Sequence, residues 1–163
     1  MDYYRPETYR AQDSIGYLMH RTTHAVKGRI EAKLAAFELS FHQWLSLLWL
    51  RDGVADTASD IAKCTNIDPG ALARMLENLE SRGWILRERS KLDRRVVSLS
   101  LTEAGRAELV LTMPTVLAEL NLGLGCFSHA EVDQLTFLLR KLFAYQQSLA
   151  EQMLAAQSSG TPT

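Results

Sequence analysis

"DTASDIAKCTNIDPGALARMLENLESRGWILRER", residues 56–89, runs directly into "SKLDRRVVSLSLTEAG", residues 90–105. Two helix starts, two stops and a strand-like alternation follow one another in this stretch. Thr57 with Asp60 three residues on is a capping arrangement, which predicts a helix over 58–65 with Ile61 and Ala62 turned inward. Asn66 suits the left-handed residue that ends it. Asp68 then caps a second helix with Pro69 at its first position, and the helix runs to Arg82 before Gly83 stops it. Leu72, Met75, Leu76 and Leu79 recur at helical spacing and face inward, which turns Gly70, Arg74, Glu77 and Ser81 outward. "GWILRER" reads as a strand, "SKLDR" as a turn, and "RVVSLSL" as a second strand with Val97, Leu99 and Leu101 on one face. Thr102 to Gly105 opens the next helix.

The charge around this stretch is uneven. Residues 82–95 carry six basic side chains, Arg82, Arg87, Arg89, Lys91, Arg94 and Arg95, against Glu88 and Asp93. This local excess of +4 sits in a chain of net charge −1. The pattern is one positive patch on an acidic body, which implies a partner of opposite sign. A chain of 163 residues with 47% hydrophobic side chains fits one soluble domain with a real core. No apolar run reaches the roughly 18 residues of a membrane span, and "MDYYRPETYR" lacks the apolar core of a signal peptide. A cytoplasmic location without membrane partners is expected.

Helices are predicted on both sides. The first spans about 13–37, with Ile15, Leu18, Met19, Thr22, Val26, Ile30, Leu34 and Phe37 at helical spacing. Near 40 Å long at about 1.5 Å per residue, it has surface for this chain and for a second copy. Ser40 caps a helix from Phe41 to about Arg51. After Gly105 a helix passes Met113-Pro114, where a kink is expected, and stops at "NLGLGCF". Ser128 with Glu131 is a capping box opening a last helix to about Ala156, rich in Val132, Leu135, Leu138, Leu139, Leu142, Phe143, Leu149 and Met153. That much apolar surface at a chain end needs a partner, and paired termini of two copies would supply one; the other reading folds the helix back on its own domain. "SSGTPT" reads as a disordered tail.

A short helix, a tight turn, a second helix and a two-stranded ribbon with arginines at its tip make a winged helix-turn-helix. In that architecture one helix enters the DNA major groove and the wing reaches an adjacent minor groove. The fold class is therefore mainly α with a small β-hairpin wing. Residues 38–105 form the DNA-binding lobe, 1–37 and 106–157 a helical dimerisation region drawn from both termini, and 158–163 the tail. Pro69, Gly70 and Ala71 are small enough for close backbone approach, and helix N-termini favour phosphate. Arg87, Arg89 and Lys91 belong to the basic ribbon.

"DRRVVSLSLTEAG", preceded by "LARMLENLESRGWILRE", resembles the signature of the MarR family of bacterial transcriptional regulators, and the resemblance covers roughly residues 13–150. It implies an obligate homodimer on a roughly palindromic operator, released by a small molecule or an oxidant. It implies that Arg94 and Arg95 are wing-tip arginines, Asp93 the acid that positions them and Arg74 a basic residue of the recognition helix. Gly70 and Ala71 stand where hydroxyl residues are common in the family, and Asn78 where a basic residue is frequent. Specificity would then lean on Arg74, methyl contacts from Ala71 or Ala73, and DNA shape.

The same resemblance places an effector cleft near the first, second and fifth helices, where Tyr17, His20, His24, His42, Trp44 and Met113 are of the type to hold a small aromatic carboxylate or phenol. His20 and His24 are four apart, but "HRTTH" lacks the glutamate of a metalloprotease helix. No metal, no cofactor and no enzyme chemistry is expected. Cys64 and Cys126 lie far apart without CxxC spacing and are expected as reduced, buried thiols. The function read from the sequence is a dimeric DNA-binding regulator acting as a repressor. The alternatives are redox sensing through Cys64, and a winged-helix protein-interaction module without specific DNA binding.

Overall fold

A computed structural model describes residues 2–65, 67–89 and 97–158. Asn66, the predicted turn with Lys91, Asp93, Arg94 and Arg95, and the tail from 159 onward lie outside the described residues. The elements are α1 (Ile15–Leu34), α2 (Phe41–Asp52), α3 (Ala58–Thr65), α4 (Pro69–Ser81), β1 (Ile85–Arg89), β2 (Val97–Leu101), α5 (Glu103–Gly123) and α6 (His129–Ser158). Met1–Leu120 form one compact unit and Asn121–Thr163 a second.

The first unit is held by one apolar cluster. Ile30 and Leu34 of α1, Trp44 and Leu47 of α2, Ile61 of α3, Leu72, Leu76 and Leu79 of α4, Leu99 and Leu101 of β2, and Leu109 and Val116 of α5 are all buried in it. The inward stripe of α4 is the one its spacing predicted, with Met75 at the margin. Truncating the fully buried Leu79 to alanine costs roughly 2–5 kcal/mol, because the cavity adds to the lost transfer energy. Trp44 brings a polar atom into this core, and its Nε1 donates to the Thr112 hydroxyl at 3.1 Å. That bond ties α2 to α5 and satisfies a group that would be expensive to bury alone.

Local chemistry sets the element ends. Ser14 accepts from the Tyr17 amide and opens α1, so Asp13 falls into a preceding turn rather than the helix. At the other end a 3₁₀ turn, Ala35–Phe37, replaces the last predicted helical residues. Glu38 follows with φ of 53°, a left-handed conformation unusual for a side chain of this kind. Its carbonyl is gripped by Arg82, which donates from Nη1 at 2.8 Å and from Nη2 to the Glu38 carboxylate at 3.2 Å. The same guanidinium lies over the Trp84 ring, 3.9 Å from its centroid. One arginine thus joins the α1–α2 corner to the end of α4.

β1 and β2 pair antiparallel, with Ile85 opposite Leu101 and Arg89 opposite Val97. Leu99 and Leu101 are buried, whereas Val97, on the same face but at the far end, is 40% exposed. Thr57 adds a bridge to Ser98, and the Leu99 amide donates to Asp56 at 2.7 Å, so the start of the α3 segment is stitched to the outer edge of β2. The Thr102 hydroxyl donates to the Gly83 carbonyl and accepts from the Gly105 amide, capping α5 against the end of α4.

α5 is helical from Glu103 to Gly123, continuing through Pro114. Proline removes the donor that would meet the Val110 carbonyl; Val110 is 75% exposed, so solvent can take its place. The cysteines depart from expectation. Cys64 and Cys126 are both exposed thiols. Cys64 follows the exposed Lys63 near the end of α3, and Cys126 lies in the α5–α6 connection among exposed residues.

In the second unit α6 opens with the predicted capping box. The Ser128 amide and hydroxyl both donate to Glu131, and the Glu131 amide donates back to Ser128. The backbone and hydroxyl donors of Ser128 hold the Glu131 carboxyl below the usual range. None of the described α6 residues is buried in the isolated chain. Leu135 and Leu138 are 37% and 50% exposed, and Phe143 is 63% exposed.

Candidate nucleic-acid interface

Helix α4 presents the face that its inward leucines dictate. Pro69, Gly70, Ala73, Arg74, Glu77 and Asn78 are exposed, and Ala71 is half-buried. Its first turn is already capped, because Asp68 Oδ1 accepts from the Gly70 and Ala71 amides at 3.0 Å each. A phosphate at this end would compete with that carboxylate, which makes side chains further along the helix more important to any grip on DNA.

Asn78 is one of these. Its Oδ1 accepts from Gln43 Nε2 at 2.7 Å, linking α4 to the first turn of α2. Gln43 is itself fixed by a capping box, in which its Oε1 accepts from the Ser40 amide at 2.8 Å and its own amide donates to the Ser40 hydroxyl. Arg74 stands exposed one turn before Asn78. Of the ribbon arginines, Arg87 is half-buried and pairs with Glu80 at 2.8 Å, bracing β1 against the end of α4. Arg89 is exposed at the last residue of β1. Lys91, Asp93, Arg94 and Arg95 fall between the two strands in sequence and outside the described residues.

The sequence-predicted effector residues lie on α1, α2 and α5. Tyr17, His20 and His24 are exposed along α1, where Tyr17 receives the Arg21 guanidinium at 5.9 Å. Trp44 is spent in the core bond to Thr112. His42 is half-buried in the first turn of α2, and burial, then the nearby Lys27 charge, push its imidazole below the usual range, with Glu31 opposing. Met113 does line a groove of about 660 Å³, together with Arg51, Arg106, Leu109, Val110, Pro114 and Leu117. Two guanidinium groups beside an apolar wall suit an anionic aromatic molecule. Arg51 pairs with Asp52 at 2.8 Å, so part of its charge is already answered.

Sequence reasoning passed over Gln43, Arg51 and Arg106, and gave Arg82 a place in the basic patch without its contact to Glu38. For Gln43 a signal existed, since Ser40 and Gln43 have the spacing of a capping box. For Arg82 none did, because its partner Glu38 is 44 residues away. Among the described residues no group of three His, Cys, Asp or Glu gathers as metal ligands, and no helix is long and apolar enough to cross a membrane.

Comparison with known proteins agrees with this geometry. Residues 39–97 match the model of the MarR family. The HTH-type transcriptional repressor NicR of Pseudomonas putida is 25% identical over 134 residues, spanning 82% of this chain and 85% of that protein. Among solved structures, a mutant MarR from E. coli complexed with operator DNA superposes with a TM-score of 0.69 at 26% identity, covering 82% of this chain and 99% of that one. BpsR of Bordetella bronchiseptica, whose DNA binding is regulated by 6-hydroxynicotinic acid, superposes with a TM-score of 0.70 at 27% identity, covering 82% of this chain and 96% of that one.

Proposed function

Residues 39–97 match the MarR-family model, and from that likeness we propose that this is a MarR-family chain and a homodimeric, sequence-specific DNA-binding regulator of transcription, a repressor that a small aromatic acid or phenol releases from its operator. The observation that carries the reading is the α3–α4 pair set directly before an antiparallel ribbon, with the outer face of α4 left open and a basic connection between β1 and β2. In this arrangement α4 enters the major groove. Arg74 and Asn78 reach base edges or phosphates, and Pro69, Gly70, Ala71 and Ala73 allow close approach. Arg89, Lys91, Arg94 and Arg95 hold the backbone or the adjacent minor groove, where a narrow groove attracts arginine, and Asp93 orients a neighbouring guanidinium. Arg87 acts from behind, bracing the ribbon through Glu80. The protein works in the cytoplasm, where its DNA is, and needs no cofactor for this task.

The effector reading rests on the groove beside Met113 rather than on the α1 residues. Arg51 and Arg106 would meet a carboxylate while Leu109, Val110 and Leu117 cover a ring. The regulation of BpsR by an aromatic acid favours the same ligand class. A second reading draws on the exposure of Cys64: oxidation at the end of α3 would disturb its packing on α4. Treatment with an organic oxidant that leaves DNA affinity unchanged disposes of it.

Selection of duplexes from a random library by the purified protein is the deciding experiment. A twofold-symmetric motif with half-sites about one helical turn apart is expected. Affinity for it should fall steeply with salt, by orders of magnitude over a few-fold rise, because several phosphates per subunit are neutralised. Retention of no DNA at low salt would turn the protein into an interaction module that kept the fold.

A further inference from the structure

The bonds joining α2 to α4 have a direction, and the direction is set by chemistry. The Ser40 amide can only donate, so the side-chain atom of Gln43 that meets it at 2.8 Å must be the carbonyl oxygen. Gln43 Nε2 is thereby turned to the other side. An amide nitrogen can only donate, so the atom of Asn78 that meets it at 2.7 Å must be Oδ1. Reversing Gln43 would set its amide group against the Ser40 amide, donor against donor, and leave the capping box unmade.

From this relay we infer that Gln43 is a positioning residue that fixes the hydrogen-bond polarity of Asn78, so that α4 offers DNA a donor, Asn78 Nδ2, at this point. The inference rests on the DNA-binding reading above and deepens it. An unconstrained asparagine pairs with adenine through both its oxygen and its nitrogen. Here Oδ1 is turned toward Gln43 with one lone pair already used, which weakens two-point adenine recognition and leaves Nδ2 as the free group. What remains selects a hydrogen-bond acceptor: guanine O6 or N7, adenine N7, thymine O4, or a phosphate oxygen. Asn78 is exposed on the same side of α4 as Arg74, one turn on, so both side chains present donors to the same partner. The absence of a basic residue at 78 therefore need not reduce the donors along this face.

A double-mutant cycle on the operator selected by the wild-type protein tests the relay. Gln43→Glu keeps an acceptor for the Ser40 amide but offers Asn78 a carboxylate, which turns Nδ2 inward and Oδ1 outward. Asn78→Ala removes the reader. Each should weaken binding roughly tenfold, the scale of one hydrogen bond to DNA with a charged or polar acceptor. The added charge at 43 acts equally in both backgrounds and cancels from the cycle, so the loss caused by Gln43→Glu should shrink at least about threefold when residue 78 is alanine. If the acceptor is a base, Gln43→Glu also changes the preferred base at one position per half-site; if it is a phosphate, the motif stays and the coupling persists. Asn78→Asp leaves the capping box untouched and should bind less well than Asn78→Ala, because its second oxygen then faces an acceptor. Independent losses in the cycle, with Asn78→Asp no worse than Asn78→Ala, overturn the inference while leaving DNA binding in place. Failure of the wild-type protein to bind DNA removes both.

Discussion

At residue 105 a side-chain carbon would run into the Trp84 carbonyl oxygen and come within 2.7 Å of Leu101 Cδ1. The Trp84 carbonyl cannot simply retreat, since it accepts from the Thr102 amide at 3.0 Å in the corner where β2 turns into α5. Alanine favours a helix over glycine by about 1 kcal/mol, whereas overpacking a tight site costs about 1–3 kcal/mol and more when backbone must move. Gly105→Ala is therefore expected to lower the urea midpoint by a net loss of up to about 2 kcal/mol, with the slope unchanged; a stabilised variant would mean that the corner can open without loss. The sequence shows Gly105 only as part of a helix start. Its close approach to Trp84 depends on a fold that brings together residues 21 apart, and the same is true of the Arg82 grip on Glu38. Cys64 was misjudged for another reason. Cysteine is among the most buried residue types, but on an eight-residue helix the side facing the core was already occupied by Ile61.

At the scale of elements, α3 carries its own acid sensitivity. The Thr57 hydroxyl donates to Asp60 at 2.6 Å and Lys63 pairs with it at 3.0 Å, and these partners, Thr57 first, hold the Asp60 carboxyl down to about 2 from its ordinary 3.8. A carboxyl lowered by folding stabilises the fold above its unfolded value and loses that contribution as pH falls toward the folded one. The window is therefore pH 4 down to about 2. Because Asp60 is solvent-facing, the effect is modest and its Lys63 share is screened by salt. Asp60→Asn should flatten the stability profile across this window, read from urea midpoints at successive pH values, and an unaltered profile would show that the cap contributes nothing to acid unfolding. The elements themselves were legible because each boundary has a local signature: Thr57 with Asp60, Asp68 with Pro69, Gly83, and Ser128 with Glu131. The groove beside Met113 was not, since Arg51 and Arg106 lie 55 residues apart and meet only through the packing of α2 on α5.

At the scale of the whole molecule the open question is what covers α6. Leu135, Leu138, Leu142, Tyr145 and Leu149 are spaced alternately three and four residues apart, the period of a seam between helices. In the isolated chain Leu138 is 50% and Tyr145 61% exposed, and Phe137 and Phe143 stand out further at 65% and 63%. A soluble protein seldom leaves so long an apolar stripe to water, and a second copy offers the same stripe in return. If the two copies pair through it, Leu138→Asp combined with Leu142→Asp puts four carboxylates into one seam, each without a counter-ion. Burying such charges costs several kcal/mol apiece, so the dimer should give way to a species of 18.3 kDa in sedimentation velocity. The winged-helix lobe, whose core lies in the first unit, should stay folded in the same variant by circular dichroism, since none of that core comes from α6. DNA affinity should then fall far more than either half-site alone would suggest, because two lobes bound as one unit gain an effective concentration that separated lobes lose. Retention of the dimer would move the interface to another exposed apolar face, such as Ile15, Leu18 and Met19 on α1.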